Sequence, residues 1–267
     1  MSLLARAYLA VLGIVGLITG AYLLSAADQT AALFVWPVSP PATALFMGAG
    51  YLGTGLTLLG ALSLAPSWGQ VRLLIGPLVA FATLMLVATA LHADRFFWDR
   101  PQTWLWVCVY GVILVGAVWL AISHRGADRD GFRASRLRGS ERLALGLTGL
   151  SMAVASATLF LAPDLGAPLW PWPLTPLTSR VVAGWIAVGG TLGLSSSLMG
   201  DALSVRIPLI GWTLTVLLFQ LAALTGLPPE GLNEPSARLY LLALGGSVLG
   251  ALRLLYRLQE RRAPGGV

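Results

Sequence analysis

The richest run of reactive side chains in this chain is His92-Ala93-Asp94-Arg95-Phe96-Phe97-Trp98-Asp99-Arg100. Histidine exchanges a proton near neutral pH, and arginine offers a forked donor that holds anions. His92 and Arg95 are three residues apart, so on a helix they are neighbours. Asp94, Arg95, Asp99 and Arg100 can pair locally or across to other loops. A tenth position, Arg180, joins the set for reasons of symmetry given below. Together His92, Asp94, Arg95 and Arg180, walled by Trp36, Trp98 and Trp172, would suit a lipid headgroup, a quinone or another small amphipathic anion. The same residues would also suit an interfacial ion-pair network that staples the loop between spans 3 and 4 to the bundle. His92 as a general base is a third reading, with no nucleophile or metal ligand beside it. No catalytic residue is assigned.

The elements that must position this set are membrane helices. The chain has 267 residues, 57% hydrophobic and 10% charged, where soluble domains carry about 25% charge. The apolar residues fall into eight spans, roughly 6–25, 42–64, 71–92, 103–123, 142–162, 178–198, 206–226 and 236–257. Each is about 20 residues, long enough for a hydrocarbon core of about 30 Å. The runs are continuous, without the alternation a β-barrel strand needs. The first span has the look of a signal peptide, with Arg6 ahead of it and Ser25-Ala26-Ala27 at its end. Its counterpart lies in mid-chain, so it is read as a retained helix.

That counterpart exists because the chain reads twice. Trp36-Pro37-Val38-Ser39-Pro40 returns 136 positions later as Trp172-Pro173-Leu174-Thr175-Pro176. At the same offset Arg6 meets Arg142, Gly13 meets Gly149 and Gly53 meets Gly189. After a two-residue deletion the offset is 134, and Pro101 meets Pro235, Gly111 meets Gly245 and Gly116 meets Gly250. An even number of spans per copy predicts two parallel four-helix repeats, related by an axis along the membrane normal. The predicted organisation is a first repeat over 1–123, a basic linker over 124–141, a second repeat over 142–257 and a tail over 258–267. Ser140, Thr43 and Ser179 are read as helix caps. Gly48-Ala49-Gly50-Tyr51-Leu52-Gly53 has the letters of a dinucleotide-binding loop but no strand before it, and is read as close helix packing. Pro77 and Pro208 are expected to kink or open helix ends. Against this symmetry, His92 faces Gly226 and Arg180 faces Ala44, which is why these two positions are singled out.

All 17 basic residues are arginine. With both termini inside, 13 arginines fall on the cytoplasmic side and Arg95, Arg100, Arg180 and Arg238 on the other. That bias predicts cytoplasmic termini and an inner-membrane location. The same topology accounts for the net charge of +6 without nucleic acid as a partner. Twelve of the 16 prolines fall in outer loops, with Trp36, Trp98, Trp104, Trp170 and Trp172, so the outer face is expected to be a stiff cap. Asp201 and Arg206 are read as a local ion pair on the loop between spans 6 and 7.

Several chemistries are excluded by composition. The spans have essentially no ionisable group at their centres, which argues against ion-coupled transport. There is no lysine for a retinal Schiff base, and two histidines and one cysteine are too few for a zinc site. Cys108 is read as a small packing residue. No metal and no cofactor is expected.

The stretch His92-x-Asp94-Arg95-Phe96, followed by Trp104-Leu105-Trp106 and Tyr110, resembles a pattern in uncharacterised bacterial multipass membrane proteins, as does Trp36-Pro37 with Pro40-Pro41. The resemblance covers mainly the first half and implies no activity. The sequence is therefore read as an all-α integral membrane protein. Its expected role is non-catalytic, binding a small ligand or lipid from the outer face or serving a larger complex with a partner subunit. The alternative is a small-molecule permease that rocks its two repeats.

Overall fold

The computed structural model describes residues 1–65, 67–126 and 136–260. Residues 127–135 of the basic linker, with Asp128, Arg129, Asp130 and Arg133, and the tail from 261, with Arg261 and Arg262, lie outside the described residues. The described chain is helical, and Arg136 and Asp201 form an isolated bridge in place of any strand. Eight helices are long and apolar enough to cross a membrane, which makes this a multipass membrane protein. They are α1 (Leu3–Ser25), α2 (Pro41–Leu64), α3 (Ile75–Leu91), α4 (Pro101–Ser123), α5 (Gly139–Leu161), α6 (Pro176–Met199), α7 (Ala202–Gly226) and α8 (Pro235–Glu260).

The sequence punctuates these helices differently at the two ends of the bundle. All four even-numbered helices begin on a proline, Pro41, Pro101, Pro176 and Pro235. A first-turn residue has no helical partner for its N–H, so proline loses nothing there and pre-sets φ. Of the odd-numbered helices, α1 is capped by Ser2, α5 by Glu141 reaching back to the Arg138 amide at 2.8 Å, and α7 by Asp201. Three expected caps are corrected. Ser140 lies inside α5, behind the Arg138 cap. Thr43 sits within α2, which starts from Pro40 without a side-chain cap. In α6 the cap is Thr175, paired with Thr178, while Ser179 turns away and donates to the Leu159 carbonyl at 2.8 Å. In hydrocarbon a short hydroxyl gains more from bonding a neighbouring helix than from a helix start that proline already satisfies.

Small residues let the hairpin partners touch backbone to backbone. A Cβ on Gly20 would fall 2.6 Å from the Leu52 amide nitrogen in the α1–α2 contact. One on Gly149 would fall 2.5 Å from the Leu194 nitrogen in the matching α5–α6 contact. Lipid tails are as apolar as leucine, so dispersion at such close range drives association where the hydrophobic effect cannot. Helices α3 and α4 pack together, as do α7 and α8. The large contacts between halves are α2 with α7 and α3 with α6. The hairpins are thus interleaved: each hairpin of the first half leans on one from the second.

The centre of the bundle is aromatic and tightly filled. Trp185 of α6 packs against Tyr51 and Phe81, with ring centroids 4.9 and 4.2 Å apart, and its ring lies flat on Gly50. Tyr51 and Tyr110 share a hydrogen bond. Between α2, α3, α6 and α7 the remaining cavity is only about 60 Å³ and is ringed by Pro77, Phe81, Trp185 and Phe219. Pro77 lies in the first turn of α3, after the 3-10 turn Arg72–Leu74, and Pro208 lies within a continuous α7.

At the linker end of the bundle Asp201 is corrected from a local pairing to a long-range one. Its partner is Arg72, 129 residues away, at 3.1 Å. The same carboxylate accepts from the Ser204 hydroxyl at 2.8 Å and the Leu203 amide at 2.9 Å. Asp201 is buried, and so many donors are what a buried carboxylate needs.

Candidate functional site

Helix α3 ends at Leu91, and His92 is its C-cap. A 3-10 turn, Ala93–Arg95, then carries the chain over the end of the bundle. Arg180 stands in the first turn and a half of α6, the helix that packs along α3. The close α3–α6 contact brings these two positions, 88 residues apart, together. An Arg180 guanidinium nitrogen lies 2.6 Å from His92 Nε2, and the same nitrogen reaches the Pro176 carbonyl at 3.3 Å. Arginine only donates, so His92 Nε2 accepts, and the imidazole is neutral with its proton on Nδ1. Burial and, after it, the Arg180 charge hold the His92 imidazole below its ordinary value; Asp94 opposes them. Arg180 Nε is buried and has no hydrogen-bond partner among the described residues.

Asp94 and Arg95 pair with each other at 3.0 Å, both 70% exposed. So exposed a pair contributes little energy and largely cancels its own charge. The cation beside His92 is therefore Arg180, half-buried and already oriented.

Arg100 makes a further tie on the same loop. Arg100 donates to the Phe34 and Ala32 carbonyls, both at 3.1 Å, at the C-terminal end of the short helix Thr30–Leu33. A cation at that position also meets the negative end of the helix. The Arg100 guanidinium carbon lies 3.8 Å from the Phe97 ring centroid, and the Phe97 amide donates to the Val35 carbonyl at 3.0 Å. The two loops are joined without His92 or Arg180.

The three tryptophans differ in role. Trp98 is 37% exposed; it donates to the Ala93 carbonyl at 2.7 Å and lies edge-on to Trp104. Trp36 is 2% exposed and packs among Phe34, Phe96 and Trp106. Trp172 is 3% exposed, packs against Trp170 and Tyr240, and donates to the Thr43 hydroxyl at 2.9 Å. Trp36 and Trp172 thus lie buried at two ends of one aromatic network that runs through the body of the protein, and of the three only Trp98 faces outward beside the turn that carries Asp94 and Arg95.

A larger cavity lies elsewhere. Helices α5, α6, α7 and α8 enclose a groove of about 730 Å³ that opens at the linker end. It was not anticipated from sequence, where only charged asymmetries between the halves were weighed. Its signal is an apolar asymmetry: at the 136-residue offset Ala144 stands where the first half has Tyr8. Among the described residues no cluster of His, Cys, Asp or Glu could hold a metal ion. No family model, no curated protein and no solved structure matches this chain.

Proposed function

We propose that this protein is a non-catalytic, ligand-binding component of a bacterial inner membrane, whose outer face takes an anionic amphiphile at Arg180. The observation that carries this reading is the Arg180–His92 pair. A neutral imidazole fixes the guanidinium at 2.6 Å without neutralising it, and the buried Nε is left with a free N–H. A phosphate or carboxylate is the group such a cation recognises. His92, Arg180 and the exposed Asp94, Arg95 and Trp98 form the site; Trp36 and Trp172 support the elements around it.

The wider architecture we infer is two parallel four-helix repeats with both termini cytoplasmic. The helix pairs support it, since α1–α2 matches α5–α6, α3–α4 matches α7–α8, and α2–α7 matches α6–α3. Side chains support it too: Trp36 packs on Trp106, and their counterparts Trp172 and Tyr240 pack on each other. Arg6, Arg72, Arg142, Arg206, Arg253 and Arg257 lie at the linker end, the end positive charge assigns to the cytoplasm. A rocking permease would need a polar path along the axis, whereas the cavity there is about 60 Å³ with a mostly apolar lining in which Thr54, Thr57 and Thr215 are the polar residues. This favours binding over transport.

The test is titration of the detergent-solubilised protein with dihexanoyl phosphatidic acid, using dihexanoyl phosphatidylcholine as the control. Saturable binding of the acid is expected, weakened at least about tenfold in Arg180→Gln, the loss expected for one charge-assisted contact. Arg238→Gln, which removes an arginine of the same face outside the site, should leave it near the wild-type value. Equal binding by Arg180→Gln and wild type would dismiss the site.

A further inference from the structure

We infer that the groove between α5, α6, α7 and α8 is a second site, built to hold one anionic glycerophospholipid of the leaflet at the linker end. The argument starts from a broken symmetry. In the first half, α1 and α4 are closed against each other by Tyr8. Its hydroxyl donates to the Ile113 carbonyl at 2.6 Å, and its ring lies so close over Gly116 that a methyl there would collide with it. The equivalent seam lies between α5 and α8. There the residue at the Tyr8 position is Ala144, and Gly250, the counterpart of Gly116, has nothing within 4 Å of where a side chain would begin. Both residues line the groove. One missing aromatic ring has left a seam open.

The size of the opening selects its occupant. The lining runs along α5 from Ser140 to Met152 and along α8 from Arg257 back to Ala243, or about 20 Å at 1.5 Å per residue. That is one leaflet with its headgroup region, and it stops short of the roughly 30 Å a partner helix would cross. A lipid tail of one leaflet matches that length, and a cavity of about 730 Å³ accommodates extended hydrocarbon along it.

The charge selects the headgroup. Arg253 and Arg257 line the groove on the last turns of α8, and neither makes a hydrogen bond or ion pair among the described residues. The one carboxylate in the lining, Glu141, is engaged at the α5 cap with the Arg138 amide. Deeper in, the Trp212 indole donates to the Ser247 hydroxyl at 3.1 Å, and Leu145, Met152, Leu192 and Leu209 supply apolar wall for an acyl chain. An anionic head against two arginines and a chain along Ala144, Gly246 and Gly250 satisfies both ends.

The experiment is native mass spectrometry of the full-length protein after relipidation with equimolar phosphatidylglycerol and phosphatidylcholine of identical chains. Wild type should retain phosphatidylglycerol in clear excess. Arg253→Gln with Arg257→Gln should remove that excess, at about fivefold per arginine, and leave the helical circular dichroism signal intact. Ala144→Tyr, which restores the ring of the other seam, should abolish retention of either lipid while circular dichroism keeps the helical signal. The proposal is overturned by equal retention of the two lipids in wild type, or by a preference that survives the double arginine change. It is also overturned by an isoprenoid phosphate or a second copy of the chain occupying the groove instead.

Discussion

Tyr8→Ala should open the first-half seam, and the structure sets how much that costs. The hydrogen bond to Ile113 is 2.6 Å long. Interhelical bonds of this kind contribute about 0.6–1 kcal/mol net. The Ile113 carbonyl lies inside α4 and keeps its helical donor, so no orphaned group adds to the loss. Truncating a fully buried aromatic ring costs about 3–5 kcal/mol. Tyr8 is half-buried, so about half of that applies. The total is about 2–3.5 kcal/mol, or roughly a 30- to 400-fold shift in the unfolding equilibrium. Tyr8→Phe keeps the ring and should lose only the hydrogen-bond share. Steric-trapping or detergent-titration unfolding in bicelles measures both. A Tyr8→Ala loss under about 0.5 kcal/mol, or a Tyr8→Phe loss as large as that of alanine, would refute the assignment of Tyr8 as the closing wedge.

The other expectations concern packing, charge and protonation. Gly149→Ala places a methyl 2.5 Å from the Leu194 nitrogen and should destabilise by about 1–3 kcal/mol in the same unfolding assay. Gly250→Ala meets open space and should be neutral or stabilising by up to about 1 kcal/mol. Asp201→Ala removes both the α7 cap and the Arg72 partner, an expected loss of about 2–4 kcal/mol in thermal or chemical unfolding. Asp201→Asn retains a capping oxygen and should cost less. His92, followed by carbon-13 imidazole NMR, should titrate below about 6.5. The fold favours the neutral imidazole, so its contribution to stability is complete above the unfolded value near 6.5 and is lost as pH falls through the lower folded value. Arg180→Gln should raise the midpoint only part of the way, because burial is the larger cause.

The helices are legible because membrane burial needs about 20 apolar residues at a stretch and tolerates few exceptions. Comparing the two halves position by position singles out His92 and Arg180, which meet across α3 and α6. Two kinds of information were not legible. Thr43 and Ser179 have the composition of caps, but their partners, Trp172 and Leu159, are set by helix docking. Asp201 similarly bonds Arg72 because α7 packs beside the start of α3, a contact that no local spacing encodes. The groove escaped notice for another reason. A charge that breaks a repeat stands out in a sequence, whereas Ala144 in place of Tyr8 is one apolar residue for another until the packing shows what the ring was holding shut.

The interleaving of the hairpins has a consequence for how the protein is made. Helix α2 finds its main partner between the halves in α7, and α3 finds its own in α6. During synthesis both therefore enter the bilayer before their partners exist. The first half must wait with Gly50 and Gly53 of α2 and Phe81 of α3 without their second-half neighbours until the ribosome has delivered the second. The two halves expressed as separate chains would have to be inserted together to assemble, and a chain arrested after α4 would be a natural client for membrane quality control.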